Sequence, residues 1–221
     1  IWLIILLRRY TLIKVSFDFI REQLYVGMPL VLTFLISGSA QYIDGIIISA
    51  CYEDPGVFAM FRYGAKEFPL VFLLATGLSN ALLPQFSTRE GMREALVTLR
   101  SKSEKLMHLL FPLSIVTMFF ARWLYPRVFT PEFTRSADVF LIYLLLIIPR
   151  LVFPQTIVIG RKRNNITLIA AAVEICINIP LSLFLIKPYG VVGVALATFI
   201  VYSLEKIFLI WYVWAKMKIK P

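Results

Sequence analysis

Long apolar runs alternate with short basic segments along the whole chain, and the runs are too long and too uniformly apolar for the helices of a water-soluble core. Six of them cover roughly residues 24–49, 57–86, 106–126, 138–160, 166–186 and 191–214, each near or above the about 20 residues that a helix needs to cross a bilayer. A seventh apolar stretch, IWLIILL at residues 1–7, reads as the tail of a preceding span. The predicted organisation is therefore the end of a transmembrane helix plus a cytoplasmic linker over 1–23, a six-helix transmembrane bundle over 24–214, and a basic cytoplasmic tail over 215–221. The fold class is all-α and integral to a membrane. Pro69 in the second run and Pro149 and Pro154 in the fourth predict kinks that packed membrane helices tolerate. The opening residues carry no Met, and their apolar-then-basic order reverses that of a signal peptide. We expect a C-terminal part of a larger protein whose N-terminal half is missing from this chain.

Composition agrees with that pattern. The chain is 59% hydrophobic and 16% charged, with a mean hydropathy of +0.80, whereas a soluble chain is normally about 45–50% apolar and about 25% charged. A water-soluble fold would have to expose this excess, which weighs against soluble enzymes and nucleic-acid-binding domains.

The net charge of +10 then needs a location. If the first full span is entered from the cytoplasm, fifteen of the 23 basic residues fall on cytoplasmic segments: Arg8, Arg9, Lys14 and Arg21; Arg89, Arg93, Arg100, Lys102 and Lys105; Arg161, Lys162 and Arg163; Lys216, Lys218 and Lys220. The opposite loops hold three, Arg127, Arg135 and Lys187. This bias orients the chain with its C-terminus in the cytoplasm, most simply in a bacterial inner membrane, and accounts for the basic charge without nucleic acid. Met92, Leu96, Leu99 and Leu106 recur at helical spacing among charges, predicting a helix on the cytoplasmic surface; residues 10–20 have a similar mixed character. Trp123, Tyr125, Trp211, Tyr212 and Trp214 suit the headgroup belts.

Catalytic signatures are missing from the sequence. One His, two distant Cys and no phosphate-binding glycine loop, GxSxG or His/carboxylate spacing argue for a protein that is not an enzyme and holds no metal or organic cofactor. His108 reads as interfacial, and Cys51 and Cys176 as unpaired. The Asn165 sequon abuts a basic cytoplasmic segment and is discounted.

What stands out is a set of nine ionisable residues inside the spans: Asp44, Arg62, Lys66, Glu67, Arg122, Arg150, Glu174, Glu205 and Lys206. Each costs roughly 2.5–3.5 kcal/mol at a helix centre on insertion scales, so they require partners or a watery cavity. Arg62 and Lys66 are four residues apart, which in a continuous helix sets two like charges on one face, as an anion such as a diphosphate would require. They could equally be solvated residues at the outer end, and Asp44 is at a depth to act as counter-ion to Arg62. Arg150 and Glu174 reach similar depths, roughly 18 and 15 Å from their respective ends, so Arg150 either forms a structural pair with Glu174 or faces a substrate anion. Asn178 extends the Glu174 face. Asp44, Glu67, Glu174 and Glu205 are candidates for counter-ions or for coupling to protons or sodium. Glu205 and Lys206 are adjacent in sequence and are not expected to face each other, and Arg122 is expected to snorkel.

Several strings carry a resemblance: MPLVLTFLISGSAQYIDGIIIS at 28–49, VFAMFRYGAKEFPL at 57–70 leading to LSNALLPQFS at 78–87, FTPEFTRSADVFLIY at 129–143 and PYGVVGVALATFIVYSLEK at 188–206. In this order they resemble the polysaccharide and O-antigen flippases of the multidrug/oligosaccharidyl-lipid/polysaccharide (MOP) exporter superfamily, over nearly the whole chain. The resemblance implies one six-helix half of a MATE-like transporter with a central cationic cavity. It further implies that a lipid-linked glycan diphosphate is moved to the outer leaflet by alternating access, with Arg62, Lys66 and Arg150 as substrate-binding residues. The expected partners are that substrate, membrane lipids and the other half of the protein. Rival readings are a lipid-linked peptidoglycan-precursor flippase or a drug/cation antiporter of the same superfamily and, from another class, a structural membrane subunit. Five in-span cations against four carboxylates weigh against the cation antiporter.

Overall fold

The computed structural model describes Trp2 and residues 16–219. The stretch 1–7 read as a severed span, apart from Trp2, and Arg8, Arg9, Lys14, Lys220 and most of the residue 10–20 linker lie outside the described residues.

Helix α1 runs Phe17–Cys51, capped where Ser16 accepts a hydrogen bond from the Phe19 amide (3.3 Å). Its helical course starts within the segment expected as linker. Pro29 sits inside it, and the Thr33 hydroxyl donates to the Pro29 carbonyl (2.7 Å).

The second run folds as two helices instead of one. Asp54 caps α2 (Pro55–Gly64) through the Gly56 amide, and α3 (Pro69–Leu82) starts afresh at Pro69. The chain is non-helical between them, at residues 65–68. Pro69 has no amide hydrogen and disfavours a helical conformation in the residue before it, so it opens a helix where the sequence predicted a kink. After a 3-10 turn, Leu83–Ser87, Thr88 caps the 40-residue α4 (Arg89–Val128). At 1.5 Å per residue this helix is about 60 Å long, twice a hydrocarbon core of about 30 Å. The expected surface helix is its first half: Leu99 is buried in the bundle, and Met92, Leu96 and Leu106 pack against the same cluster.

The fourth run is broken too. Past the short 3-10 turn Pro131–Phe133 come α5 (Thr134–Leu144), α6 (Ile147–Arg150) and α7 (Pro154–Gly160), with a 51° bend at the last break. The Ser103 hydroxyl of α4 donates to the Leu151 carbonyl at this break (2.8 Å), so a backbone acceptor freed by the break is satisfied from a neighbouring helix. Helices α8 (Asn164–Tyr189) and α9 (Val191–Met217) are joined by Gly190 alone. With φ of 59° and ψ of −142°, Gly190 occupies a conformation that a side chain would oppose. Gly193 lets α9 approach the Leu185 carbonyl closely, the small-residue contact by which membrane helices pack.

Five described helical segments are long and apolar enough to span a membrane, six when the bent pair is taken as one. Large apolar side chains such as Phe119, Phe184 and Leu73 face outward, as lipid-facing positions should. The core divides into a cluster around Phe86, Leu151 and Val158 near the basic end, a second around Ile48, Phe61, Val139 and Val194 toward the opposite end, and a smaller third around Ala121, Tyr125, Ala137, Phe140 and Leu144. Trp123, Trp211 and Trp214 are exposed, but Tyr125 is buried and donates to the Tyr63 carbonyl (3.3 Å).

Candidate functional site

The two breaks meet. Glu67, on the non-helical stretch before α3, faces Arg150 at the end of α6, and Arg150 Nε donates to Glu67 Oε2 (3.0 Å) while a second guanidinium nitrogen closes on Oε1. This fork satisfies both carboxylate oxygens. The side chains keep 22% and 32% of their exposure, so the pair is reachable. The expected Arg150–Glu174 pair does not form: Glu174 is within electrostatic reach of Arg150, Glu205 and Lys206 but joins no ion pair among the described residues. Depth along two helices left the partner undetermined because the non-helical stretch delivers a nearer carboxylate.

Arg150 also lies over the rings of Phe72 (5.4 Å) and Tyr202 (5.1 Å), and Lys206 lies 4.5 Å from the same Tyr202 ring. An aromatic ring close to both cations lowers their cost in a setting poor in water. Lys206 pairs with its neighbour Glu205 (2.8 Å), contrary to the expectation from adjacency, and donates to Gln155 of α7 (3.2 Å). Both side chains are long enough to bend back toward one another. The approach is an ion pair without an aligned hydrogen bond to Glu205 Oε2.

A second cluster surrounds Asp44, which is 2% exposed. Its Oδ2 accepts from Thr198 of α9 (2.6 Å) and Tyr143 of α5 (3.2 Å); Asn178 of α8 donates to Thr198 (3.2 Å) and accepts from Ser182 (2.8 Å). Four spans thus converge on one carboxylate. Asp44 Oδ1 has no partner among the described residues, an arrangement that buried carboxylates rarely keep without a further ligand or proton. Asp44 is therefore not the counter-ion of Arg62. Asn178 belongs to this network, and Glu174, one turn away, does not.

Arg62 and Lys66 do not share a helical face, because α2 ends at Gly64 and Lys66 lies on the non-helical stretch. Arg62 is half-buried with its guanidinium 5.5 Å from the Tyr42 ring, and Lys66 is exposed. Neither joins an ion pair among the described residues. Arg122 departs from free snorkelling by pairing with Asp138 (2.8 Å). A void of about 10 Å³, room for one water, lies between Glu67, Arg150 and Tyr143. An open, mainly apolar groove of about 780 Å³ lies apart from these charges, beside Cys51, Tyr52, Leu183 and Lys187.

Tyr143, Thr198, Tyr202 and Gln155 were not singled out in sequence. Thr198, Tyr202 and Lys206 recur every four residues, a polar stripe down one face of α9 that a search for neutral polar positions would have found.

Broken spans with paired charges at the breaks, in an apolar helical bundle, are features expected of a membrane transporter. Solved structures agree on the fold. A MOP superfamily transporter from Pyrococcus furiosus, whose reversed pocket polarity suggests a different function, matches at 18% identity with a TM-score of 0.69, covering 86% of this chain and 44% of that one. An outward-facing multidrug resistance MATE family transporter of the MOP superfamily matches at 17% identity and a TM-score of 0.71, covering 88% and 45%. A MATE transporter in a bent conformation matches at 17% and 0.68, covering 89% and 45%. The chain thus spans less than half the length of these structures. No curated protein is significantly similar. A sequence model of the family described as "Lipid II flippase MurJ" matches residues 1–221, and the chain belongs to that family. Within the superfamily expected from the strings, this match falls on the peptidoglycan-precursor branch held as a rival, and nothing found supports the O-antigen branch in particular.

Proposed function

We propose that the complete protein moves a polyprenyl-diphosphate-linked peptidoglycan precursor from the cytoplasmic to the outer leaflet by alternating access, and that this chain supplies one lobe. The observation that carries the reading is the family match over the whole chain. The geometry supports an anionic cargo: Arg62 and Lys66 are cations without carboxylate partners among the described residues, and Arg150 is held at the adjoining break by a carboxylate that a diphosphate could displace. The basic segments at the ends of α1, α4, α8 and α9 support a cytoplasmic C-terminus in a bacterial inner membrane.

Coupling to a cation belongs at Asp44. One carboxylate among neutral oxygens of Asn178, Ser182 and Thr198 supplies a single negative charge, which suits a proton or sodium better than a divalent ion. Its unpartnered oxygen is the place such an ion would occupy.

The test is growth of cells depleted of their own lipid II flippase and supplied with the full-length protein. Sustained growth, lost when Arg62 and Lys66 are both changed to Ala at unchanged protein level, is the expected result. Normal growth of that double variant contradicts the assignment of the cargo site. Failure to sustain growth, with restored export of a lipid-linked polysaccharide in a strain lacking that exporter, transfers the protein to the O-antigen branch.

A further inference from the structure

The geometry points to Tyr143 as a positioning residue that switches its hydroxyl hydrogen bond between Asp44 and Glu67, so that loading Asp44 frees Arg150 for cargo; this rests on the coupling role proposed for Asp44. Tyr143 stands between the two clusters. Its hydroxyl donates to Asp44 Oδ2 (3.2 Å), the residue lines the same small void as Glu67 and Arg150, and Glu67 is within electrostatic reach of the phenol. A phenol has one proton to donate, and in this arrangement Asp44 receives it.

The alternatives for that proton are unequal. Asp44 Oδ2 already accepts a shorter bond from Thr198 (2.6 Å), so it keeps a donor if Tyr143 leaves. A cation or proton on the carboxylate weakens it as an acceptor, and Tyr143 then gains more from Glu67, a carboxylate paired with a guanidinium beside a void with room for the movement or for one bridging water. Glu67 that accepts from Tyr143 holds the guanidinium of Arg150 less fully. The void sits at the junction of both breaks, where the backbone has fewest helical hydrogen bonds to resist a shift.

No covalent step is involved: one O–H donor changes acceptor, and the cation on Asp44 balances the charge. The exchange would supply the two discrete states that coupling between separate sites needs.

The experiment reads the reactivity of Arg150 toward phenylglyoxal in the purified full-length protein, by mass spectrometry of the Arg150 peptide. Asp44→Asn, a mimic of the loaded carboxylate, should raise the modification rate about fivefold or more. Adding Tyr143→Phe should remove the rise. No rise with Asp44→Asn, or a rise that survives Tyr143→Phe, overturns the proposal. Should the Tyr143→Phe protein fail to melt cooperatively, Glu67→Gln decides: it should raise the rate alone, and Asp44→Asn should add nothing to it. A further increase there contradicts the proposal. In the wild type, sodium at constant pH should reproduce the rise; a rise with Asp44→Asn but none with sodium leaves the Tyr143 exchange standing and refutes sodium coupling at Asp44.

Discussion

Arg150 and Glu67, 83 positions apart in sequence, are held together by a forked ion pair in which each residue lies at the broken end of a different span. The pair fastens two otherwise weak points of the bundle to each other. Removing one partner leaves a charge in a half-dry setting, so Glu67→Gln should lower stability by about 1–3 kcal/mol, less than for a fully buried pair because both groups keep some exposure. Thermal melting in detergent measures this, and a melting temperature equal to wild type would show that the pair contributes nothing.

Lys206 and Glu205 are buried more deeply, and Lys206 has Gln155 as its further partner. Lys206→Met strands the Glu205 charge and should cost about 3–5 kcal/mol, while Lys206→Met with Glu205→Gln should recover much of the loss. Additive losses in the double variant would contradict the pairing.

Asp44→Asn removes a buried charge whose Oδ1 has no partner. In cation-free buffer the variant should melt no lower than wild type, and the stabilisation that sodium or acid gives the wild type should vanish. A wild-type-like response to these ions in the variant would exclude Asp44 as their site.

A methyl group on Gly193 would fall on the Leu185 carbonyl, and one on Gly64 would fall on the Ser136 carbonyl and the Val139 side chain. Backbone lies at both positions and cannot swing aside. Gly193→Ala should separate α8 from α9 and reduce the amount of folded protein severalfold. Gly77→Ala, with open space around it, should be silent and serves as the control. Equal yields of the two variants would contradict the close approach.

These expectations also show what a sequence can display. Spans are legible because twenty apolar residues in a row have one stable environment, and the six runs each fall on helices of the structure. Breaks are half legible: Pro69, Pro149 and Pro154 mark them, but the loss of helix at residues 65–68 removes the shared face of Arg62 and Lys66 that a continuous helix implied. The ionisable residues announced themselves by their cost. Their partners did not, since the Arg150–Glu67 and Asp44–Thr198 contacts join residues 83 and 154 positions apart and depend on how helices pack. Tyr143 was illegible for a further reason, because tyrosine is ordinary near membrane interfaces and only its neighbours give it a role.

The most direct test of the account is the leaflet distribution of the lipid-linked peptidoglycan precursor in cells depleted of their own flippase and carrying the full-length protein. The account predicts that the precursor reaches the outer leaflet with the wild type and stays in the cytoplasmic leaflet when Arg62 and Lys66 are both changed to Ala at equal protein level. Precursor confined to the cytoplasmic leaflet with the wild type, or moved equally well by the double variant, would contradict it.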